Sequence, residues 1–378
     1  MRNKPRIRFK GFTEDWEQRK LGDVTNIKTG SRNQQDSVAN GKYPFFIRSE
    51  KIEKLDEYDF DTEAILVPGD GRIGEIFHYY NGKFALHQRV YKVDDFKGVD
   101  AIYLLYLFQC KFKEHALRLN AQGTVPSLRL PMFTEWNIDI PSLQEQICIG
   151  RLLNKIELMI TLHQRKLEKL KLAKKALLQK LFPKNGSKFP ELRFKGFADA
   201  WEQRKLGEFV KIVSGDAPST FISGNCVYVK VDDLNYSDRI QLSSSNLVNA
   251  NPKAHLVNQG ATIFPKRGAA IMTNKVRIMG KDGYLDTNMM ALIPEEIDKD
   301  FLFTFIQKTG LYKIADTSTI PQINNKHIEP YMIQVPSEKE QAYIGVVFKK
   351  IDKIITLHQR KLDKLQDVKK GLLQKMFV

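Results

Sequence analysis

The sequence predicts a mixed α/β (α+β) fold, in which two globular domains are joined by two long helices that pair as an antiparallel coiled coil. Three observations predict this fold. A chain of 378 residues is too long for a single domain with one hydrophobic core, so we expect at least two domains. Two blocks of sequence each occur twice, which indicates a pseudo-twofold internal repeat. One of these blocks carries apolar residues at coiled-coil spacing.

The first repeated block opens each half of the chain. Residues 5–24 (PRIRFKGFTEDWEQRKLGDV) return as residues 190–209 (PELRFKGFADAWEQRKLGEF), with 13 of 20 positions identical. Trp16 and Trp201 occupy the same place in the two copies, among several phenylalanines. We predict that these rings anchor each domain to the helices, because large aromatic side chains are normally buried. Stacking on a nucleobase is the alternative interpretation.

The second repeated block predicts the two helices. Residues 140–182 return as residues 335–377 with 25 of 43 positions identical, and a Pro-Ser pair suited to a helix N-terminus opens each copy. Steps of four and three residues separate the apolar positions, as in a coiled coil. The predicted seam of the first helix is Ile149, Leu153, Ile156, Ile160, His163, Leu167, Leu170, Leu177 and Leu181, and that of the second is Ile344, Phe348, Ile351, Ile355, His358, Leu362, Leu365, Leu372 and Met376. Each helix should be about 60 Å long.

These blocks divide the chain into four segments: a first domain at 1–140, a first conserved helix at 141–182, a linker with the second domain at 183–335, and a second conserved helix at 336–378. Inside the domains, short β-branched and aromatic runs alternate with Gly, Asn and Asp turns, and each domain has one helix-like run. A faint common plan survives between the domains. AILVPGDGRIG corresponds to ATIFPKRGAA, FALHQRV to YLDTNMM, and GTVPSL to STIPQI.

The charge of the chain favours a polyanionic partner, with nucleic acid the first candidate. Lysine and arginine outnumber aspartate and glutamate by 60 to 44, which gives a formal net charge of +16. The two helix segments hold +6 and +5 of this charge, so the domains are nearly neutral and any reading surface must be a local concentration of Arg, Lys, Asn and Gln. The helical charge fits either contact with phosphates or a solvated face. We expect a cytoplasmic protein without membrane contact, since neither a membrane span nor an export signal is recognisable.

The sequence shows no catalytic motif. Residues 69–74 match GxGxxG, but the following EIFHYYNGKF is strand-like rather than helical and the second copy lacks the spacing, so we reject a dinucleotide site. His163 and His358 share one seam position, where polar residues more often set register than bind a metal. Three scattered cysteines predict neither a disulfide nor a zinc site. We therefore expect a non-catalytic chain that binds no cofactor and no metal.

The duplicated arrangement resembles the DNA specificity subunit of type I restriction–modification systems, over essentially the whole chain. The strongest motifs are WEQRKLG at residues 16–22 with its copy, Glu145-Gln146 and Glu340-Gln341 at the helix starts, and the LHQRKL cores that begin at Leu162 and Leu357. The resemblance implies that each divergent domain is a target recognition domain for one half of a split DNA site, and that the helices set the gap. It also implies a host-defence complex. Two modification subunits in it methylate adenine with S-adenosylmethionine, and ATP-dependent restriction subunits translocate and cut DNA.

The resemblance places the DNA-reading surface in the divergent domains, and side-chain chemistry selects candidates there. Arginine and lysine suit guanine, asparagine and glutamine suit adenine, and an ordinary solvated loop residue is the alternative at each position. In the first domain the candidates are Lys28, Arg32, Asn33, Gln34, Gln35, Arg72, His87, Gln88, Arg89, Gln122, Thr124 and Arg129. In the second they are Lys266, Arg267, Asn274, Lys275, Asn288, Thr319, Gln322, Asn324, Asn325 and Lys326.

Two other classes of function stay open at this point. A structural adaptor would bind protein partners through the same two domains and would ignore duplex DNA and salt. An enzyme with a nucleotide cofactor at residues 69–74 would bind that cofactor tightly, and the substitution Gly71→Val would abolish the binding. Neither class explains two repeated blocks that enclose two divergent domains as simply as a DNA specificity subunit does.

Overall fold

The computed structural model describes residues 4–120, 126–184, 186–316 and 320–377. The chain forms two compact units. Unit 1 is Met1–His163 with Lys361–Val378, and unit 2 is Gln164–Arg360. Each unit therefore holds one globular domain and one segment of each long helix, so the units cut across the four segments marked by the sequence blocks. The predicted mixed α/β class is confirmed.

Unit 1 contains a six-stranded sheet and a two-stranded sheet. Its strands are β1 (Glu17–Lys20), β2 (Asn26–Thr29), β3 (Tyr43–Phe46), β4 (Ile52–Leu55), β5 (Phe60–Pro68), β6 (His78–Leu86), β7 (Val90–Asp94) and β8 (Asn137–Ile140). The large sheet has the order β2-β7-β5-β6-β3-β4. Its central strand β5 carries the apolar run 64–67, whose four side chains are 0% exposed. Burial on both faces explains why this strand reads as a continuous apolar stretch.

The helices of unit 1 include the predicted helix-like run. They are α1 (Leu21–Val24), α2 (Ala101–Leu107), α3 (Lys113–Leu119), α4 (Leu130–Thr134) and the first long helix, α5 (Leu143–Lys180), which continues into unit 2. A π-helical turn, Phe108–Phe112, joins α2 to α3. Asp100 caps α2, since its side chain accepts a hydrogen bond from the Tyr103 N–H at 2.8 Å.

Unit 2 repeats this plan with more irregular strands. They are β9 (Glu202–Lys205), β10 (Val210–Ser214), β11 (Ser223–Val229), β12 (Ile240–Gln241), β13 (Leu247–Val248), β14 (Thr262–Pro265), β15 (Arg277–Met279), β16 (Gly283–Leu285), β17 (Met289–Pro294) and β18 (Met332–Val335). They form sheets of order β10-β17-β14-β15-β12, β13-β11-β16 and β18-β9. The helices are α6 (Lys299–Thr309), α7 (Asn325–Ile328) and the second long helix, α8 (Glu338–Met376), which continues into unit 1.

A repeated frame closes each globular domain. The EQRK strand of the first block pairs antiparallel with the strand that leads into a long helix: β1 with β8, and β9 with β18. In both units an arginine of the same block then forms a bidentate ion pair with the buried glutamate of that helix. Arg8 donates to Glu145 at 2.7 and 2.8 Å, and Arg193 donates to Glu340 at 2.9 and 2.8 Å. The two glutamates are 0% and 1% exposed, which explains why the sequence repeats both partners.

A glutamine and a glycine of the second repeated block, Gln146 and Gly150 with their copies Gln341 and Gly345, join each long helix to the neighbouring helix. Gln146 Oε1 accepts the Asp100 N–H at 2.8 Å in unit 1, and Gln341 Oε1 accepts the Asp298 N–H at 2.9 Å in unit 2. One turn later a glycine allows close approach. A Cβ atom on Gly150 would lie 3.1 Å from Asp100 Oδ1, and one on Gly345 would lie 2.6 Å from Asp298 Oδ1.

The long helices run antiparallel within each unit, as predicted. In unit 1, Lys369 Nζ lies 2.6 Å from Glu157 Oε2, and farther along Met376 shares a core with Leu153. In unit 2, Lys174 Nζ lies 2.6 Å from Asp352 Oδ1. Every residue of the predicted seam is buried or half-buried. Lys174 and Lys369, at the heptad positions between Leu170 and Leu177 and between Leu365 and Leu372, pair with acids. Polar seam pairs of this kind specify register.

The repeated tryptophans lie in the aromatic contacts expected of an anchor. In unit 1, Trp16 meets Tyr103 edge-on with ring centres 6.2 Å apart, and Tyr103 lies 5.3 Å from Phe377 at the end of α8. In unit 2, Trp201 lies 5.8 Å from Phe182, just beyond α5. Each globular domain is thereby attached to a helix end by edge-to-face and tilted contacts between buried aromatic rings.

Candidate DNA interface

Four loops of unit 1 are tied together by backbone hydrogen bonds and form loop cluster 1, defined as residues 30–36, 69–72, 87–89 and 126–129. The Gly30 N–H donates to Val90 O at 3.3 Å, and the Gln88 N–H donates to Arg32 O at 2.9 Å. The Gly69 N–H donates to Arg89 O at 2.7 Å, and the Leu128 N–H donates to Gly69 O at 2.6 Å. Segments far apart in the sequence therefore present one surface.

Most of the candidate residues of the first domain lie in loop cluster 1. Asn33, Gln34, Gln35, Gln88, Arg89 and Arg129 are exposed there, and Gln88 Nε2 donates to Asn33 Oδ1 at 2.6 Å. Lys28 lies exposed on β2 beside them. Gln122 and Thr124 lie outside the described residues. This surface is rich in the amides and guanidinium groups that read base edges.

Two of the candidate arginines in loop cluster 1 are neutralised by carboxylates. Arg32 pairs with Asp59 and Glu57, both at 2.9 Å. Arg72 pairs with Glu50 at 2.9 Å and Glu75 at 2.8 Å. These side chains brace loops against one another, whereas Arg89 and Arg129 carry no ion pair within the described residues.

His87 requires a correction, because the structure places it inside the protein. It is 4% exposed, and its Nδ1 accepts the Arg89 N–H at 2.9 Å. Burial, together with the positive charge of Arg48, lowers the pKa of His87 and keeps this nitrogen unprotonated as an acceptor at neutral pH. His87 therefore supports the loop, and the adjacent side chains form its surface.

Arg48 and Asp70 of unit 1 lie at this surface although neither was predicted from the sequence to do so. Arg48 Nη1 lies 3.2 Å from Asp70 Oδ2. With Gln34, Ser49 and Gly71 they line a surface depression of about 370 Å³. Asp70 could have been predicted from its place in the glycine-rich turn at residues 69–74, whereas no motif in the sequence surrounds Arg48.

Loop cluster 2 of unit 2, defined as residues 215–220, 266–268, 286–288 and 320–324, repeats three of these four backbone bonds. The Gly215 N–H donates to Met289 O at 3.2 Å, the Lys266 N–H donates to Asn288 O at 2.8 Å, and the Ile323 N–H donates to Lys266 O at 2.9 Å. Lys266 thus stands where unit 1 has Gly69, and Ile323 stands where it has Leu128. The weak sequence similarity between AILVPGDGRIG and ATIFPKRGAA therefore reflects residues that make the same backbone hydrogen bonds in the two units.

The candidate residues of the second domain divide into two groups. Lys266, Arg267, Asn288, Gln322 and Asn324 belong to loop cluster 2, and Asn325 and Lys326 extend it along α7. Neither Lys266 nor Arg267 forms an ion pair in the part of the chain that the structure describes. Burial, and then the charge of Arg267, lower the pKa of Lys266. Thr319 lies outside the described residues.

Asn274 and Lys275 are engaged elsewhere in unit 2. The Asn274 Nδ2 donates to Gln307 O at 2.9 Å and its Oδ1 accepts the Leu311 N–H at 3.0 Å, so it bridges the end of α6. Its φ of +49° is in the left-handed region that asparagine tolerates. Lys275 contacts the side-chain oxygen of Asn235. The DNA-binding prediction for Asn274 is corrected to a structural role.

Acidic and aromatic side chains that were not predicted from the sequence lie beside loop cluster 2. Asp216 Oδ1 lies 2.8 Å from His255 Nδ1, and Asp286 Oδ2 accepts the Tyr228 hydroxyl at 3.2 Å. Tyr228 and Phe221 line a depression of about 500 Å³ beside loop cluster 2. Their positions depend on strand pairing that local sequence patterns do not reveal.

The rejected nucleotide motif forms a turn between strands. Residues 69–74 connect β5 to β6 without a helix, and Gly71 adopts a φ of +76°. Within the described residues, no group of three or more His, Cys, Asp and Glu side chains is arranged to hold a metal ion. In the same residues, no helix is long and apolar enough to cross a bilayer.

Comparison with known proteins matches this duplicated organisation. A family model of the type I restriction modification DNA specificity domain matches residues 13–172 and again 198–367. The type I restriction enzyme MjaVIII specificity subunit of Methanocaldococcus jannaschii is 25% identical, with 95% of this chain and 91% of that protein covered. The EcoDI specificity subunit of Escherichia coli is 24% identical, with 87% and 80% covered.

A solved structure has the same fold. The S subunit of a type I restriction-modification system from M. genitalium superposes with a TM-score of 0.73 at 18% identity, over 99% of each chain. At that identity the likeness shows the fold alone, whereas the family model matches most of the chain in two copies. The chain belongs to the type I restriction-modification DNA specificity family, whose members recognise DNA sequence and are not themselves catalytic.

Proposed function

We propose that this chain reads a bipartite DNA site as the specificity subunit of a type I restriction–modification complex. Loop cluster 1 reads one half-site and loop cluster 2 reads the other. The long helices set the unread gap between them. The chain recruits two modification (methyltransferase) subunits and the restriction subunits.

One observation carries the proposal: the two loop clusters share a backbone and differ in the side chains they expose. Gly69 and Asp70 in unit 1 correspond to Lys266 and Arg267 in unit 2, and Ser127 corresponds to Gln322. A constant backbone with variable side chains is what reading of two different base sequences requires, because base edges are distinguished by donor and acceptor groups.

Recruitment of two identical partners is supported by a repeated apolar surface on the helices. Met159 and Leu162 on α5 are 41% and 64% exposed, and their copies on α8, Ile354 and Leu357, are 41% and 52% exposed. Exposed apolar side chains at duplicated positions suit two copies of one partner. We assign this surface to the modification subunits.

Cofactor chemistry in this proposal belongs to the partners. The modification subunits bind S-adenosylmethionine for adenine methylation and the restriction subunits use ATP. This chain holds no cofactor and acts on DNA in the cytoplasm.

Mapping of methylated adenine tests the proposal. Cells that express the modification subunit with this chain should gain a methylated motif of two defined segments separated by a fixed undefined gap. Replacement of residues 25–139 by another insert should change one segment and leave the other. A continuous motif, or no methylation, would contradict the proposal.

Partner recruitment has its own test. Leu162→Glu and Leu357→Glu should each remove one modification subunit from the purified complex, measured by native mass spectrometry, and the double variant should remove both. Leu172→Glu, at a position 67% exposed on α5 outside the repeated pair, is the control. Full occupancy in the double variant would exclude this surface.

A further inference from the structure

The connection that precedes strand β7 in unit 1 and strand β17 in unit 2 has the same construction. It consists of His87-Gln88-Arg89 in the first case and of Asp286-Thr287-Asn288 in the second. The third residue of each connection is exposed in its loop cluster, and the first is buried. The two connections differ in sequence at every position.

The backbone of Arg89 is held from both sides. Its N–H donates to His87 Nδ1 at 2.9 Å, and its carbonyl accepts the Gly69 N–H at 2.7 Å. The next residue, Val90, donates its N–H to His87 O at 2.9 Å. The backbone at Arg89 is therefore immobilised, while its guanidinium carries no ion pair in the described part of unit 1.

The backbone of Asn288 is held by the same three bonds with a different buried acceptor. Its N–H donates to Asp286 Oδ1 at 3.0 Å, and its carbonyl accepts the Lys266 N–H at 2.8 Å. Met289 donates its N–H to Asp286 O at 2.8 Å. A buried carboxylate thus performs the task of the buried imidazole, which shows that the clamp is retained although its chemistry changes.

The orientation of the Asn288 amide is also set. Its Nδ2 donates one hydrogen to Asp286 Oδ1 at 3.0 Å. The second hydrogen and the carbonyl oxygen are left for another partner. Those two groups match the N7 acceptor and N6 donor of adenine, as a free guanidinium matches the O6 and N7 acceptors of guanine.

We propose that this clamped position determines one base of each half-site, with Arg89 reading guanine and Asn288 reading adenine. His87 and Asp286 are positioning residues that act through the backbone of the reader. The inference rests on the proposed function, since it assigns bases within the two half-sites. The backbone of each reader is ordered before DNA binds, so its ordering costs no further entropy on binding. A wrong base is rejected because it leaves a donor or acceptor unpaired.

Reciprocal substitution tests the readers in the full chain co-expressed with the modification subunit. Arg89→Asn should convert one guanine of the first segment of the methylated motif to adenine, and Asn288→Arg should convert one adenine of the second segment to guanine. The preference for the original base should fall about 5- to 150-fold in competition binding. Lys54→Ala on β4 and Lys211→Ala on β10, at exposed strand residues outside both loop clusters, are the controls and should leave the motif unchanged.

The outcomes separate this inference from the proposed function. If the wild-type complex shows no bipartite motif, the proposed function fails. If the wild-type motif is bipartite but Arg89→Asn and Asn288→Arg leave both segments unchanged, the inference alone fails. Equal weakening on all DNA sequences, with the salt slope reduced by about one, would identify a phosphate contact and also overturn the inference.

The positioning residues are tested by exchange of the buried acceptor. His87→Asp retains an acceptor, as in unit 2, and should keep the guanine in the motif. His87→Leu removes it and should relax the same base position, with thermal unfolding measured to confirm that both variants fold. Equal motifs in the two variants would show that the acceptor does not position the reader.

Discussion

The two loop clusters share hydrogen-bonded positions and differ in charge. In loop cluster 1, Arg32 and Arg72 are each paired with two carboxylates, and Arg48 is paired with Asp70. In loop cluster 2, Lys266 and Arg267 occupy the positions of Gly69 and Asp70 and carry no ion pair among the described residues. The comparison shows that the same hydrogen-bonded backbone can present side chains of different charge. The strand pair and the Arg–Glu ion pair that close each globular domain, here called the frame, are the same in both units.

The largest expected effect is the loss of stability when the Arg–Glu ion pair of either frame is removed, and it tests whether the two frames are equivalent. Arg8→Ala and Arg193→Ala should each destabilise the protein by about 3–5 kcal/mol, because each leaves a buried glutamate without its partner. Chemical denaturation measures this free energy, and Arg19→Ala, at an exposed strand residue, is the control. A marked difference in the free energy of unfolding between the two variants would show that the two frames are not equivalent.

The glycines of the frame sharpen the comparison with an intermediate effect. Gly345→Ala should cost about 1–3 kcal/mol, since its Cβ would lie 2.6 Å from Asp298 Oδ1. Gly150→Ala should cost less, because its nearest contact is 3.1 Å and the gain in helix propensity of about 1 kcal/mol is the same in both variants. Thermal unfolding compares the two variants, and an equal cost would contradict this geometry.

Opposite responses are expected at the position that Asp70 shares with Arg267. Arg267→Ala should weaken DNA binding and reduce its salt slope by about one. Asp70→Asn should strengthen binding, because it releases Arg48 from its ion pair. Fluorescence anisotropy over a salt series measures both effects, with Lys211→Ala on the exposed face of β10 as control. Changes of the same sign in both variants would refute the assigned charge difference.

The smallest effect is a pH dependence located in unit 1. Burial lowers the pKa of His78, His87 and His115 from the ordinary value of 6.5. The neutral forms thus stabilise the fold fully above about pH 6.5, and this contribution is lost as pH falls through the lowered pKa values. The melting temperature should fall accordingly, and His115→Gln should flatten the profile. An unchanged profile in that variant would exclude His115 from the effect.

The sequence predicted which loops lie at the candidate interface better than it predicted which of their side chains are exposed. The correspondence of AILVPGDGRIG with ATIFPKRGAA placed Gly69 opposite Lys266 to within the register that the hydrogen bonds show. It did not foresee that His87 is buried, that Asn274 bridges α6, or that Arg48 joins the surface. Residue type indicates which groups are able to bind a base, but exposure depends on neighbours distant in the chain.

The sequence by itself determined the two long helices and the duplicated blocks, because heptad spacing gives the period of burial and the repeats are visible in the chain. Tertiary structure decided which loops converge, which arginines are neutralised and which side chains the backbone clamps hold. These features arise from hydrogen bonds such as that between the Gly69 N–H and Arg89 O, whose partners are brought together only when the strands pair. No local period encodes such a contact, since each loop residue obtains its surroundings from segments elsewhere in the chain.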